Sequence, residues 1–126
     1  MKEISNTTTL HEVEVIQIQY DAQSITFICD NRQITQGGKK GLGRIVFFID
    51  DFDKKKLYQH IQIKRIRGRR IQEITFKRFI KMVEKNVFKI YLDFYSFFAN
   101  AVLLQGHCGN IEIECRISEI DKIDFL

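Results

Sequence analysis

The chain contains no proline and no tryptophan in 126 residues. Without proline there is no proline-rich linker and no X-Pro isomerisation to slow folding. Cysteine is sparse: Cys29, Cys108 and Cys115, an odd count with no Cys-x2-4-Cys knuckle. An odd count with no secretory context makes free thiols in a reducing cytoplasm the expectation. The opening "MKEISNTTTLHE" has no apolar run, so no secretory signal is expected. No apolar stretch approaches the roughly 20 residues that span a bilayer. The greasiest, "FYSFFANAVLL" (94 to 104), is broken by Ser96 and Asn100, and no membrane partner is expected.

What is present suits one ordinary domain over residues 1–126, with 1–9 disordered. The hydrophobic share of 44% and the charged share of 29% are normal for soluble folds. The net charge of +4 conceals an asymmetry. Residues 54 to 89 hold thirteen Lys or Arg against two acids, Glu73 and Glu84, which is +11; the remainder sums to −7. The chain is basic in the middle and acidic on both flanks.

Periodicity predicts mostly strands. "HEVEVIQIQY" (11 to 20) alternates, but its apolar phase slips at Val15-Ile16, the mark of a β-bulge. "SITFICD" (24 to 30) sets Ile25, Phe27 and Cys29 on one face, giving a hairpin with the first strand. "TQGGKKGLG" (35 to 43) reads as a loop, because glycine weakens regular elements. "RIVFFID" (44 to 50) reads as a central strand, and "DDFDKKK" (50 to 56) as a connection. Two strands around Arg67-Gly68-Arg69-Arg70 then oppose Ile66 with Ile71, Lys64 with Glu73 and Ile63 with Ile74, the register with the best cross-strand pairs.

"TFKRFIKMVEKN" (75 to 86) is the helix. Phe76, Phe79, Ile80 and Val83 form one apolar stripe, Thr75 caps the start, and Asn86 takes the left-handed position at the end. Strands at 88 to 94, 99 to 104 and 111 to 117 follow, and the tail "SEIDKIDFL" adds an edge strand. The expected fold is mostly β (α+β): an antiparallel β barrel or sandwich of about seven to eight strands with one amphipathic helix.

Most chemical readings fail on spacing. The glycine stretch has no Gly-Lys pair followed by a hydroxyl residue, and "GLGRIV" lacks the third glycine of a dinucleotide fingerprint. Asp50, Asp51 and Asp53 are followed by three lysines that would repel Mg²⁺ and pair with the acids. His107, Cys108 and Cys115, joined by Cys29, His60 or His11, lack zinc-site spacing, and Cys29 and Cys115 fall on inward strand faces. There is no nucleophile elbow. Glu112 and Glu114 share an outward strand face and are expected in solvent. No catalytic residue, metal or cofactor is assigned.

The basic segment remains. Lys77, Lys81 and Lys85 stand at i, i+4 and i+8, where like charges repel by about 0.2–0.5 kcal/mol per neighbour. Lys77 and Arg78 also occupy the first turn, where the helix dipole prefers anions. Local rules broken in one direction often mark function. The candidate anion- or partner-binding residues are Lys64, Arg65, Arg67, Arg69, Arg70, Lys77, Arg78, Lys81 and Lys85. No aromatic lies between 59 and 75 to stack on a base, and no ribonucleoprotein, KH or helix-turn-helix signature is present.

Two end segments, "LHEVEVIQIQYDAQSITFICD" (10 to 30) and "CGNIEIECRISEI" (108 to 120), resemble a loose group of small bacterial all-β proteins. These open with Leu-His-Asp/Glu, a strand, a short turn and a second alternating strand, and several are immunity proteins of polymorphic toxin systems. The resemblance implies a cytoplasmic, non-catalytic module that binds a protein partner, and it carries over no catalytic residue. Its middle, with the arginine hairpin and helix, lies outside that pattern. Inhibitors of nuclease toxins are often acidic, which the basic centre departs from, although the flanks Asp50 to Asp53 and Glu112 to Asp124 fit. An acidic partner meeting the basic face is equally consistent, and a protein partner, by either surface, is the first expectation. Nucleic acid held by its phosphates through the hairpin and helix (64 to 89) is the alternative, with a log–log salt slope of about −4.5 for five phosphate contacts.

Overall fold

Alternation decides the first two elements. The computed structural model describes residues 10, 12–30, 34–36, 39–49, 60–96 and 100–126. In β1 (Glu14–Tyr20) Val15 and Ile18 are buried, and in β2 (Ser24–Cys29) Ile25, Phe27 and Cys29 are. The two buried positions of β1 are three apart because its register slips between Val15 and Gln17. The phase change at Val15-Ile16 is thus a bulge, as expected. Asp21 makes the turn. Its carboxylate accepts from the Gln23 and Ser24 amides at 2.8 Å each and from Ser24 Oγ at 3.1 Å. The Gln23 amide, helped by Ser24 and opposed by partial burial, holds that carboxyl below its usual value.

The remaining elements are β3 (Ile34–Gln36), β4 (Lys39–Leu42), β5 (Arg44–Ile49), β6 (Ile61–Arg67), β7 (Arg70–Ile74), α1 (Phe76–Asn86), β8 (Phe88–Ser96), β9 (Ala101–Cys108), β10 (Ile111–Ile117) and β11 (Ile120–Phe125). Nine strands form one antiparallel sheet in the order β11-β5-β2-β1-β8-β9-β10-β6-β7, and β3 pairs with β4 separately. Among the described residues the sheet is open, with β11 and β7 at its edges. A closed barrel, one of the two architectures expected, is therefore not formed. β1 meets β8 through only two residue pairs, Glu14↔Lys89 and Val15↔Phe88. That thin seam divides the sheet into a four-stranded and a five-stranded part. One core cluster unites Ile25, Phe27, Ile45 and Phe47 of the first part with Ile63, Leu104, Ile113 and Cys115 of the second. The parts share their buried faces in a sandwich-like arrangement.

The tail forms β11 on β5, the edge strand expected there. The strand count exceeds expectation because the glycine-rich stretch holds β3 and β4 where a loop was expected. Gln36 pairs with Lys39, and the intervening Gly-Gly is itself a hairpin signal. Glycine makes such a ladder weak without forbidding it. The connection 50 to 56 and residues 1–9 lie outside the described residues. β9 also runs on to Cys108 rather than stopping at Leu104. Gly106 permits this: a Cβ there would run into the Lys89 carbonyl and the Phe88 ring.

The helix begins as its sequence predicts. Thr75 is extended (φ −67°, ψ 151°) and its Oγ1 accepts from the Arg78 amide at 3.2 Å. Phe76, Phe79 and Val83 are buried, with Ile80 packed against the core. Phe79 meets Phe88 edge-on at 5.3 Å, and Phe76 meets Tyr20 at the same distance. The end differs from expectation. Val87, not Asn86, takes the positive φ (60°), its amide donating to the Val83 carbonyl at 2.9 Å. Asn86 stays helical, with its side chain lying over Gly109 in the β9–β10 turn. Val87 must turn the chain at once so that Phe88 can enter the core as the first residue of β8.

Candidate anion-binding face

The β6–β7 hairpin has the register read from its side chains: Ile63↔Ile74, Lys64↔Glu73, Arg65↔Gln72, Ile66↔Ile71. The ladder continues one pair further, to Arg67↔Arg70, so the turn is the dipeptide Gly68-Arg69. Gly68 has φ 62° and Arg69 has none of the positive φ values, the pattern of a type II′ turn, which matches strand twist. Strand alternation then sorts the cations. Ile63 and Ile74 face the core, so Arg65, Arg67, Arg70 and Gln72 share that side where the hairpin outruns the core. Lys64 points the other way, between its cross-strand neighbours Glu73 and Glu114.

On α1, Lys77, Arg78, Lys81 and Lys85 are all exposed. At 100° per residue they fall within an arc of about 100° opposite the buried stripe. The helix leaves the hairpin at Ile74 and ends with Asn86 over the β9–β10 turn. That turn lies at the end of the sheet where the hairpin tip lies, since Glu112 pairs with Ile66. Helix and projecting hairpin therefore lie on one side of the sheet and point toward one end. Arg65, Arg67, Arg70, Lys77, Arg78, Lys81 and Lys85 share that side, Arg69 caps the tip, and Lys64 is excluded. No ion pair among the described residues joins any of these nine cations to a carboxylate; the pairs present are His60–Glu119 and Lys122–Asp124. Lys54, Lys55 and Lys56 lie outside the described residues.

A second polar surface, on the opposite side of the five-stranded part, was not anticipated. Glu112 and Glu114 are half-buried rather than solvated. Tyr91 Oη donates to Glu112 at 2.8 Å, and Gln105 Nε2 donates to Glu114 at 3.3 Å. The His107 ring leans on Tyr91 at 5.0 Å. Burial, then the Glu112 carboxylate, pushes the Tyr91 hydroxyl up from its usual value. Tyr91 follows buried Phe88 and Ile90 in plain alternation, and a register slip between Ile90 and Leu92 turns Leu92 and Phe94 to this face beside it. Nothing in the local alternation of 88 to 94 announces that slip. Beside these groups, Gln62, Lys64, Phe94, Leu103, Glu114 and Arg116 line an open cavity of about 450 Å³.

The three cysteines are free and buried. Burial pushes the Cys29 and Cys108 thiols up to about 12, and Cys115 higher still. Such thiols are poor nucleophiles at neutral pH. Among the described residues no group of three or more His, Cys, Asp or Glu could hold a metal ion, and no helix is long and apolar enough to cross a membrane. Comparison with family models, with curated proteins and with solved structures gave no significant match.

Proposed function

We propose that this chain is a non-catalytic protein-binding module, immunity-protein-like, that works in the cytoplasm by docking an acidic protein surface against α1 and the β6–β7 hairpin. The observation that carries the reading is the set of seven cations sharing one side of the sheet with no carboxylate partner among the described residues. Unpaired like charges on one helix face cost stability, and a binding role is the usual compensation. Arginine dominates the hairpin share, and arginine is the charged residue enriched at protein interfaces.

The test is capture on the immobilised protein from lysate with and without nuclease treatment, across a salt series. A protein retained after nuclease digestion, and lost when Lys81 and Lys85 are changed to Glu, is the expected result. Retention of nucleic acid alone, with a salt slope near about −4.5, would replace this reading by the phosphate-backbone one.

A further inference from the structure

We infer that the outer edge of β7 is a docking line for an extended acidic segment of a partner protein, which joins the sheet as a further strand; the inference rests on the protein-binding reading above. β7 ends the sheet order, and among the described residues only β6 pairs with it. The closing pair of a two-residue turn is a hydrogen-bonded pair, and such pairs alternate along the ladder. Arg67↔Arg70, Arg65↔Gln72 and Ile63↔Ile74 therefore turn their backbone groups toward each other. Ile71 and Glu73 turn theirs outward, leaving two donors and two acceptors along the free edge.

Edges are usually protected by a bulge, a proline, shortness or cover. The opposite edge, β11, carries such a device: its register slips between Ile120 and Lys122, where Asp121 is the extra residue. β7 runs without a slip against β6, and its first four residues are exposed, Ile71 at 67%. Charge selects the occupant. Arg70 lies on the edge strand, Arg67 is its cross-strand neighbour, and Lys77 and Arg78 follow where the edge meets α1; Glu73 is the one acid on β7. An added strand would lay carboxylates beside these cations while its backbone pairs with Ile71 and Glu73. At the base of the edge lies a cavity of about 750 Å³ whose apolar wall of Ile61, Ile63, Ile74 and Phe76 is flanked by Gln62, Glu73, Thr75 and Lys77, with room for a side chain at the end of the segment.

The probe is a fluorescent peptide of about eight residues, a usual strand length, alternating valine and glutamate and read by anisotropy. Its counterpart is N-methylated at alternate residues, which removes ladder donors and keeps the charge. In the protein, Ile71→Pro removes an outward amide and no β6 hydrogen bond, a position where strands accept proline. Binding of the plain peptide, weakened about tenfold or more by N-methylation and likewise by Ile71→Pro, is the expected result. Should Ile71→Pro fail to fold by circular dichroism, the N-methylated peptide decides alone. Equal binding of both peptides would overturn the added strand while leaving an acidic partner in place. No binding of either would overturn it too, and the lysate experiment then judges the broader reading separately. Concentration-dependent self-association in sedimentation, abolished by Ile71→Pro, would assign the edge to a second copy and overturn the inference.

Discussion

Two polar surfaces of this protein put their side chains to opposite ends. On the outer side of β8, β9, β10 and β6, acids, amides and a phenol are half-buried and joined across strands, Tyr91 to Glu112 and Gln105 to Glu114. On the helix and hairpin, seven cations, all exposed except the half-buried Arg65, have no carboxylate against them among the described residues. The first surface satisfies its hydrogen bonds internally, so its groups serve stability. The second leaves its charges to solvent, so little of its chemistry is spent on holding the fold. The difference lies in whether the backbone brings complementary groups opposite each other.

The largest test strikes the support of the first surface. Gly106→Ala forces a methyl against the Lys89 carbonyl and the Phe88 ring, and should cost about 3 kcal/mol by urea unfolding. A loss under half of that would mean that β8 and β9 can part without harm. Tyr91→Phe removes the donor to a half-buried carboxylate and should cost about 1 kcal/mol, while leaving capture of the acidic partner unchanged. A drop in capture would show that the two surfaces are not separate.

The second surface should respond with the opposite sign. Lys81→Glu turns two repulsive i,i+4 pairs into attractive ones, and should add about 0.5–1 kcal/mol of stability while weakening partner binding. Thermal melts and binding measured on one preparation decide this. A destabilised Lys81→Glu would mean that the cationic face contributes to the fold after all.

The smallest effect at neutral pH comes from the thiols. Their folded pKa values lie above the ordinary 9.0, at about 12 for Cys29 and Cys108, so the native state holds protons that the unfolded chain releases. Their contribution is complete below pH 9, and should decline from there toward pH 12. Thiol labelling should be slow for all three in the native protein and rapid in urea; rapid native labelling would show that the core opens locally.

Much of this was legible where interactions are local. Ile63, Ile66, Ile71 and Ile74, with Lys64 and Glu73, specify the hairpin register by themselves, because a one-step shift pairs apolar with polar residues. Thr75 and the stripe at 76, 79, 80 and 83 specify the helix in the same way. Legibility failed where a distant segment decides. Asn86 is the better left-handed residue by chemistry, yet Val87 turns the chain because Asn86 lies over Gly109 and Phe88 is due in the core. Glu112 and Glu114 read as solvated because the partners that half-bury them arrive from β8 and β9. Of the nine candidate cations, eight fall along one side or its tip; Lys64 departs because strand alternation, which charge counting ignores, turns it to the other face.

The sheet order has a consequence for how the chain is made. β10 is inserted between β9 and β6, and β11 closes against β5, so each of the last two strands completes a neighbour synthesised much earlier. A nascent chain emerging from the ribosome can form the local unit of β6, β7 and α1 well before β10 exists, since short-range contacts come first. During that interval β6 has a bare side of its own, with Ile61 and Ile63 beside it. Translation stalled short of Ile117 would therefore release a sticky intermediate, and chaperone demand should peak just before the final strands arrive.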